Sequence, residues 1–209
     1  MGRGGEPRRA RAGDEELGAA VARAQEGDEA AFAVAYRLVQ PGLVGYLRGL
    51  VGHDGETAED IAAEAWLEIA RDLGRFRGDG EGFRGWTATI ARHRALDHLR
   101  RQKVRPRPSA LEQDMLELPG PYSTSEQALE SISTENALAL IAKLPRDQAE
   151  AVLLRVVVGL DAPAAARVLG KRPGAVRTAA YRGLKRLAER LGDARGVTDD
   201  GPGPLGESR

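Results

Sequence analysis

Cysteine is absent from this chain, which excludes a disulfide framework and any thiolate metal centre. Aromatic residues are scarce, at 4% of 209 residues. Cores must therefore be thin and built from Ala, Leu and Val on helices, not from aromatic-rich sheets. No apolar run approaches the roughly 20 residues of a membrane span. The Arg-bearing start, residues 1–12, lacks the apolar stretch of a secretory signal. Together these absences predict a cytoplasmic protein without membrane insertion. The chemistry of catalysis is missing too. There is no nucleophile elbow, no Gly-Lys-Ser/Thr phosphate loop and no zincin helix. His53, His93 and His98 share no metal-ligand spacing. No catalytic residue, metal or cofactor is expected, and the chain reads as a binding protein that is not an enzyme.

What is present is charge, in blocks. The net charge of zero conceals 31 basic and 31 acidic residues. Residues 54–72 hold seven acids and one Arg, and residues 92–107 hold seven bases and one Asp. Residues 109–135 hold six acids and no base, and residues 167–190 hold eight bases and one acid. Alternating blocks of opposite sign predict separate surfaces for separate partners.

Periodicity predicts helices and no strand of convincing length. Gly, Arg and Pro at 1–13 and Gly, Pro and Asp at 192–209 read as disordered tails. Between them lie a helical block at 14–103 and another at 134–191, joined by a flexible acidic linker at 104–133 that holds four prolines. Asp28 is placed to cap a helix carrying Phe32, Tyr36 and Val39, which Pro41 breaks or kinks. Thr57 and Asp60 read as a capping box opening a helix over Ile61, Ala65 and Ile69. Five glycines between Gly74 and Gly85 exclude regular helix there. Pro145 suits the first turn of a later helix. The fold class is all-α, with two small helical domains.

Four motifs stand out. Glu56, Asp60, Glu64, Glu68 and Asp72 recur every fourth residue, and like charges so spaced destabilise an isolated helix by roughly 0.2–0.5 kcal/mol per pair. Such a stripe is either a solvated face or the mate of a basic surface. The segment from Phe76 to Trp86 mixes glycines with Phe76, Phe83, Arg77 and Arg84. That suits unpaired nucleotides, because aromatics stack on bases and Arg holds phosphate, although core packing serves the two phenylalanines equally well. The basic helix end with Arg92, Arg94, Arg100 and Arg101 follows directly. Finally, Asp161 can cap a short Ala-rich helix, Gly170 permits a turn, and a second helix carries Arg172, Arg177, Thr178, Tyr181, Arg182 and Lys185. This is a helix-turn-helix, whose second helix enters the major groove of duplex DNA.

In order and spacing these pieces resemble a bacterial sigma factor of the extracytoplasmic-function group. Residues 57–67 (TAEDIAAEAWL), 76–79 (FRGD) and 83–101 (FRGWTATIARHRALDHLRR) are similar to that family's region 2. Residues 144–148 (LPRDQ) onward to Arg190 are similar to its region 4. The resemblance implies a region 2 helical bundle and a region 4 helix-turn-helix. It implies core RNA polymerase as the partner of Glu59, Asp60, Glu64 and Glu68. It implies capture of the melted −10 strand by Phe76, Arg77, Asp79, Phe83, Arg84 and Trp86, with Arg92, His93, Arg100 and Arg101 assisting. It implies binding of −35 duplex by Arg172, Gly174, Arg177, Thr178, Tyr181, Arg182 and Lys185. The acidic linker would follow the polymerase's positively charged RNA path, and an anti-sigma factor would mask the DNA-binding blocks. The alternative reading is a conventional helix-turn-helix regulator that binds a palindromic operator without polymerase. A helical RNA-binding or adaptor protein is a third.

Overall fold

The computed structural model describes residues 6–52, 55–104 and 125–196. These form an all-helical molecule: α1 Glu6–Gln25, α2 Glu29–Val51, α3 Gly55–Asp72, α4 Gly80–Val104, α5 Ser125–Ala142, α6 Arg146–Val152, α7 Ala162–Leu169 and α8 Pro173–Gly196. Among the described residues no helix is long and apolar enough to cross a membrane.

Local chemistry sets the helix ends. The Asp28 carboxylate accepts the Ala31 N–H at 2.9 Å, capping α2, and Gly52 ends that helix at φ 106°. Pro41 lies inside α2 without ending it, at an exposed position. Other boundaries also differ from expectation. Helix α1 begins at Glu6, inside the stretch whose composition suggests a disordered tail; its apolar stripe of Leu17, Ala20 and Val21 is buried against the bundle. Helix α3 is already running at Gly55, so Thr57 is not its cap. Helix α4 starts at Gly80, so the second half of the glycine segment is helical; tertiary contacts override the weak propensity of Gly80, Gly82 and Gly85. Pro145 takes the cap position just before α6. Of the expected linker, residues 125–133 belong to α5 and residues 105–124 lie outside the described residues, as does most of the acidic segment assigned to the RNA path. Helix α8 runs to Gly196, into the expected second tail.

Two hydrophobic cores result. The first gathers Leu17, Val21, Val39, Leu43, Leu47, Ile61, Ile69 and Phe83 from α1–α4. The second gathers Leu138, Ile141, Val152, Leu153, Leu154, Leu160, Val168 and Val176 from α5–α8. After α6 the chain widens into a π-turn over Leu153–Val157, where Leu153 and Leu154 are both fully buried.

The cores meet along α2. Gly42, Gly45 and Gly49 recur at helical spacing and let the π-turn come close. A Cβ on Gly42 would lie 3.1 Å from the Val157 carbonyl oxygen, one on Gly45 2.8 Å from Val157 Cγ1, and one on Gly49 2.6 Å from Leu153 Cδ2. Each glycine costs a helix interior about 1 kcal/mol relative to Ala, so its presence here is explained by packing. Tyr46, between them, is fully buried within the second core, as is Ala88 of α4. Burial, and next the charge of Glu150, hold the Tyr46 hydroxyl above its ordinary pKa and so protonated. Glu150 itself is only 4% exposed and accepts hydrogen bonds from Arg92 Nε and Arg146 Nε, both at 3.0 Å. Arg92 belongs to the first block and Glu150 to the second, so this buried ion pair crosses the seam. Glu81 adds a weaker tie, accepting the Asp161 N–H at 3.1 Å.

Gly45→Leu is expected to drive the two blocks apart while leaving both cores folded. Small-angle scattering should show a larger radius of gyration at unchanged helical circular dichroism. An unchanged radius would contradict this account of the seam.

Candidate nucleic-acid and partner interfaces

Helix α3 is amphipathic. Ala58, Ile61, Ala62, Ala65, Trp66 and Ile69 face the core, and Trp66 donates its indole N–H to Gln40 Oε1 at 2.6 Å. The four acids assigned to the outer face divide into two pairs. Glu59 accepts from Arg48 at 2.9 Å. Glu68 accepts two bonds from Arg94, at 2.9 and 2.6 Å. The hydrogen bonds that Arg94 donates to Glu68, then the charge of that carboxylate, push the Arg94 guanidinium pKa above its ordinary value. Both carboxylates already have a cation of this chain beside them, Glu59 at an exposed position and Glu68 mostly covered. Asp60 and Glu64, by contrast, are exposed and make no ion pair among the described residues. Leu67 stands with them at 75% exposure. Positions 60, 64 and 67 fall on one helical face. The surface offered is thus two free carboxylates beside an uncovered aliphatic side chain. Leu67 escaped sequence reading because its only signal is register, seven positions after Asp60.

The glycine-aromatic segment follows. Helix α3 closes in a tight turn over Leu73–Arg75, and Phe76 leaves it in extended conformation. Phe76, Phe83 and Trp86 form a mutual cluster with ring centroids 5.2, 5.2 and 5.7 Å apart. Phe83 is fully buried, so its ring supports the core and is not presented to a base. This corrects the stacking role expected of it: the ring sits on the inward face of α4's first turn. Phe76 is also buried, and Trp86 is the half-buried member with surface to offer. Asp79 is occupied as a cap, accepting the Gly82 N–H at 2.8 Å. Arg77 folds onto its own loop, donating to the Gly74 and Phe76 carbonyls at 2.7 and 2.6 Å. Arg84 pairs with Asp14 at 2.9 Å. What remains open is a cavity of about 680 Å³ lined by Arg75, Arg77, Trp86 and Thr89, with Ala164 and Arg167 of α7 on its far wall.

Further along α4 the basic residues also separate. Arg92 turns into the seam toward Glu150 and not outward, which corrects its expected place on a DNA-facing surface. A guanidinium that desolvates a buried carboxylate's partner position is held there by the cost of leaving that carboxylate unpaired. His93, Arg100 and Arg101 are exposed, Arg100 beside Asp97 at 2.8 Å.

The helix-turn-helix is built as its sequence suggests. The Asp161 carboxylate accepts the Ala164 N–H at 2.7 Å, and Gly170 ends α7 in the left-handed conformation at φ 63°. Val176 and Ala180 seat α8 on the second core, and Gly183 lets it close on α6, where a Cβ would lie 2.7 Å from Val152 Cγ2. Arg172, Gly174, Arg177, Thr178, Tyr181, Arg182 and Lys185 are all exposed, Tyr181 by 69%. The outward side of α8 is therefore a cationic face with the Tyr181 ring among its charges and the Thr178 hydroxyl donating to the Gly174 carbonyl at 3.0 Å.

Comparison with known proteins accords with these shapes. The Sigma-70 region 2 family profile matches residues 35–105, and the Sigma-70, region 4 profile matches residues 134–187. The chain is 35% identical over 174 residues to the ECF RNA polymerase sigma factor BldN of Streptomyces coelicolor, covering 83% of this chain and 65% of BldN. It is 37% identical over 177 residues to the ECF RNA polymerase sigma factor ShbA of Streptomyces griseus, covering 82% of this chain and 93% of ShbA. The sigma factor RpoE of Bartonella quintana, solved with the anti-sigma factor NepR, shares the fold at a TM-score of 0.58 and 22% identity, over 77% of this chain and 96% of that one. The chain is a member of the extracytoplasmic-function group of sigma-70 family RNA polymerase sigma factors.

Proposed function

We propose that this chain binds core RNA polymerase, carries it to promoters and opens the promoter strands without ATP, acting as an initiation factor in the cytoplasm and not as an enzyme. The docking residues are Asp60 and Glu64 with Leu67, which together meet a basic, partly apolar surface. Glu59 and Glu68 set the tilt of α3 through Arg48 and Arg94. The cavity beside Trp86 and Arg77 receives an unpaired base of the −10 element, with Phe76 as its wall and the buried Phe83 ring supporting that wall from behind. Binding there offsets an unstacking cost of a few kcal/mol. His93, Arg100 and Arg101 hold the adjoining backbone. Helix α8 reads the −35 duplex, with Arg177, Thr178 and Tyr181 nearest the bases and Lys185 on phosphate. The observation that carries this reading is the pairing, in one chain, of uncompensated acids on α3 with an uncovered cationic face on α8.

The seam bears on how it works. Two elements named −10 and −35 lie about 25 base pairs apart, roughly 85 Å along B-form DNA. Loop 76–86 and α7 line a single cavity in this structure. The two blocks therefore part along the Gly42–Gly49 face before both elements are engaged, and the described form is the one adopted off DNA. The relative RpoE, solved with the anti-sigma factor NepR, supports an anti-sigma partner for this chain as well.

Transcription in vitro with purified core enzyme tests the whole reading; failure to initiate from any selected promoter sinks it. Asp60→Arg is expected to weaken core-enzyme affinity roughly tenfold or more through like-charge contact, with the fold intact by circular dichroism. Equal affinity for wild type and variant would place docking elsewhere. Arg177→Ala is expected to cost about 1–3 kcal/mol in −35 duplex binding and to relax preference at one position of the element. A variant that discriminates matched from scrambled duplex as well as wild type does would contradict that assignment.

A further inference from the structure

The strand-capture loop is fastened to α1, a helix that precedes the residues matched by either family profile. Where α3 ends, the peptide carbonyls of Leu73 and Phe76 pass out of the regular helical ladder. The side-chain amide of Gln25, the last residue of α1, donates to both, at 2.8 Å to Leu73 and 2.9 Å to Phe76. A primary amide suits this task, because one nitrogen carries two donor hydrogens in a flat group. The Phe76 carbonyl also accepts from Arg77 Nη1 at 2.6 Å, so a single oxygen ties together α1, the aromatic wall and the loop's cation.

The other end of the loop is fastened to the same helix. A Cβ on Gly80 would collide with the Asp14 carbonyl, and one on Gly18 would lie 3.3 Å from the Gly80 nitrogen. Backbone therefore meets backbone where α1 crosses the first turn of α4. Beside that crossing, Asp14 pairs with Arg84 at 2.9 Å, both side chains mostly covered. Leu17, Ala20 and Val21 secure α1 itself in the first core. Helix α1 touches neither the acidic face of α3 around Asp60 and Glu64 nor α8 through any bond among the described residues.

We propose that α1 is the mount of the strand-capture pocket and that Gln25 is a positioning residue for the melted strand. Its amide holds the Phe76 backbone, and with it the ring that walls the base pocket and the carbonyl that orients Arg77. This rests on the strand-capture reading above. Without Gln25 the Leu73 carbonyl keeps only the Phe76 N–H and the Phe76 carbonyl only Arg77, so nothing ties the loop to α1 here; the loop samples more conformations, and ordering it again is charged against strand binding.

The test uses holoenzyme formed from core polymerase and the full chain. The probe is a single strand bearing the −10 element of a promoter selected from a random library by wild-type holoenzyme. Gln25→Glu keeps the shape and removes both donors; Gln25→Met removes them without adding charge. Both are expected to lower affinity for that strand about tenfold, and to lower the fluorescence change of a base analogue at the captured position. Affinity for core enzyme and for the −35 duplex should stay at wild-type values. Wild-type strand affinity in both variants would overturn the proposal. So would loss of core-enzyme affinity, or of folding, in step with strand affinity, since Gln25 would then be a general stabiliser. If instead wild-type holoenzyme binds the selected strand no better than a scrambled one, the strand-capture reading itself fails, and the proposal with it.

Discussion

Close approach of helix backbones through glycine is the constraint on which this structure depends. With 4% aromatic residues and 26 glycines, the chain cannot fill wide gaps between helices and instead brings the helices together. Gly18 and Gly80 let α1 touch the start of α4, which sets the loop before it, the one proposed to capture a strand. Gly42, Gly45 and Gly49 let the π-turn settle on α2, which sets the seam between the blocks. Gly183 lets α8 close on α6, which aims the cationic face outward. Each contact sacrifices helix propensity, and each is recovered as dispersion contact at short range.

Charge is sorted by whether it is already answered. Glu59, Glu68 and Glu150 have Arg48, Arg94 and the pair of Arg92 with Arg146, and so they shape the protein. Asp60, Glu64 and the bases of α8 other than Lys185, which lies 3.9 Å from Glu189, are left to solvent, and so they are available to partners. The difference is physical and not compositional. A buried carboxylate that loses its partner keeps its desolvation cost, whereas an exposed one loses little when it changes partners. Arg92 and Arg101, nine residues apart on α4, thus have opposite roles despite being the same residue type.

The seam gives the molecule two requirements that pull against one another. Tyr46, Ala88 and the Arg92–Glu150 pair are buried only while the blocks are together. In the proposed function, reading two promoter elements requires them apart. Because the ion pair gains little net over its hydrated parts, the apolar burial of Tyr46 and the glycine face contribute most of the closure, and the charges set its register.

Much was legible beforehand. The helical period, the Asp28 and Asp161 caps, the Gly170 turn and the outward residues of α8 follow from local rules, because those effects act within one or two turns of chain. The alternating charge blocks announced separate surfaces for the same reason. Other features depended on residues far apart in sequence. Residues 6–13 of helix α1 looked like tail, and only the rest of that helix was legible. Gly80 to Gly85 looked like loop until Asp79 capped them into helix. Phe83 and Arg92 looked available until the core and the seam enclosed them. Gln25 carried no local signal at all. By itself the sequence determined the central part of most helices and which segments carry which charge, since propensity, capping and periodicity are short-range. Only the tertiary structure decided which of those charges and rings are spent on the fold and which remain free to bind, since that depends on the solvent exposure and partners each side chain finds across the chain.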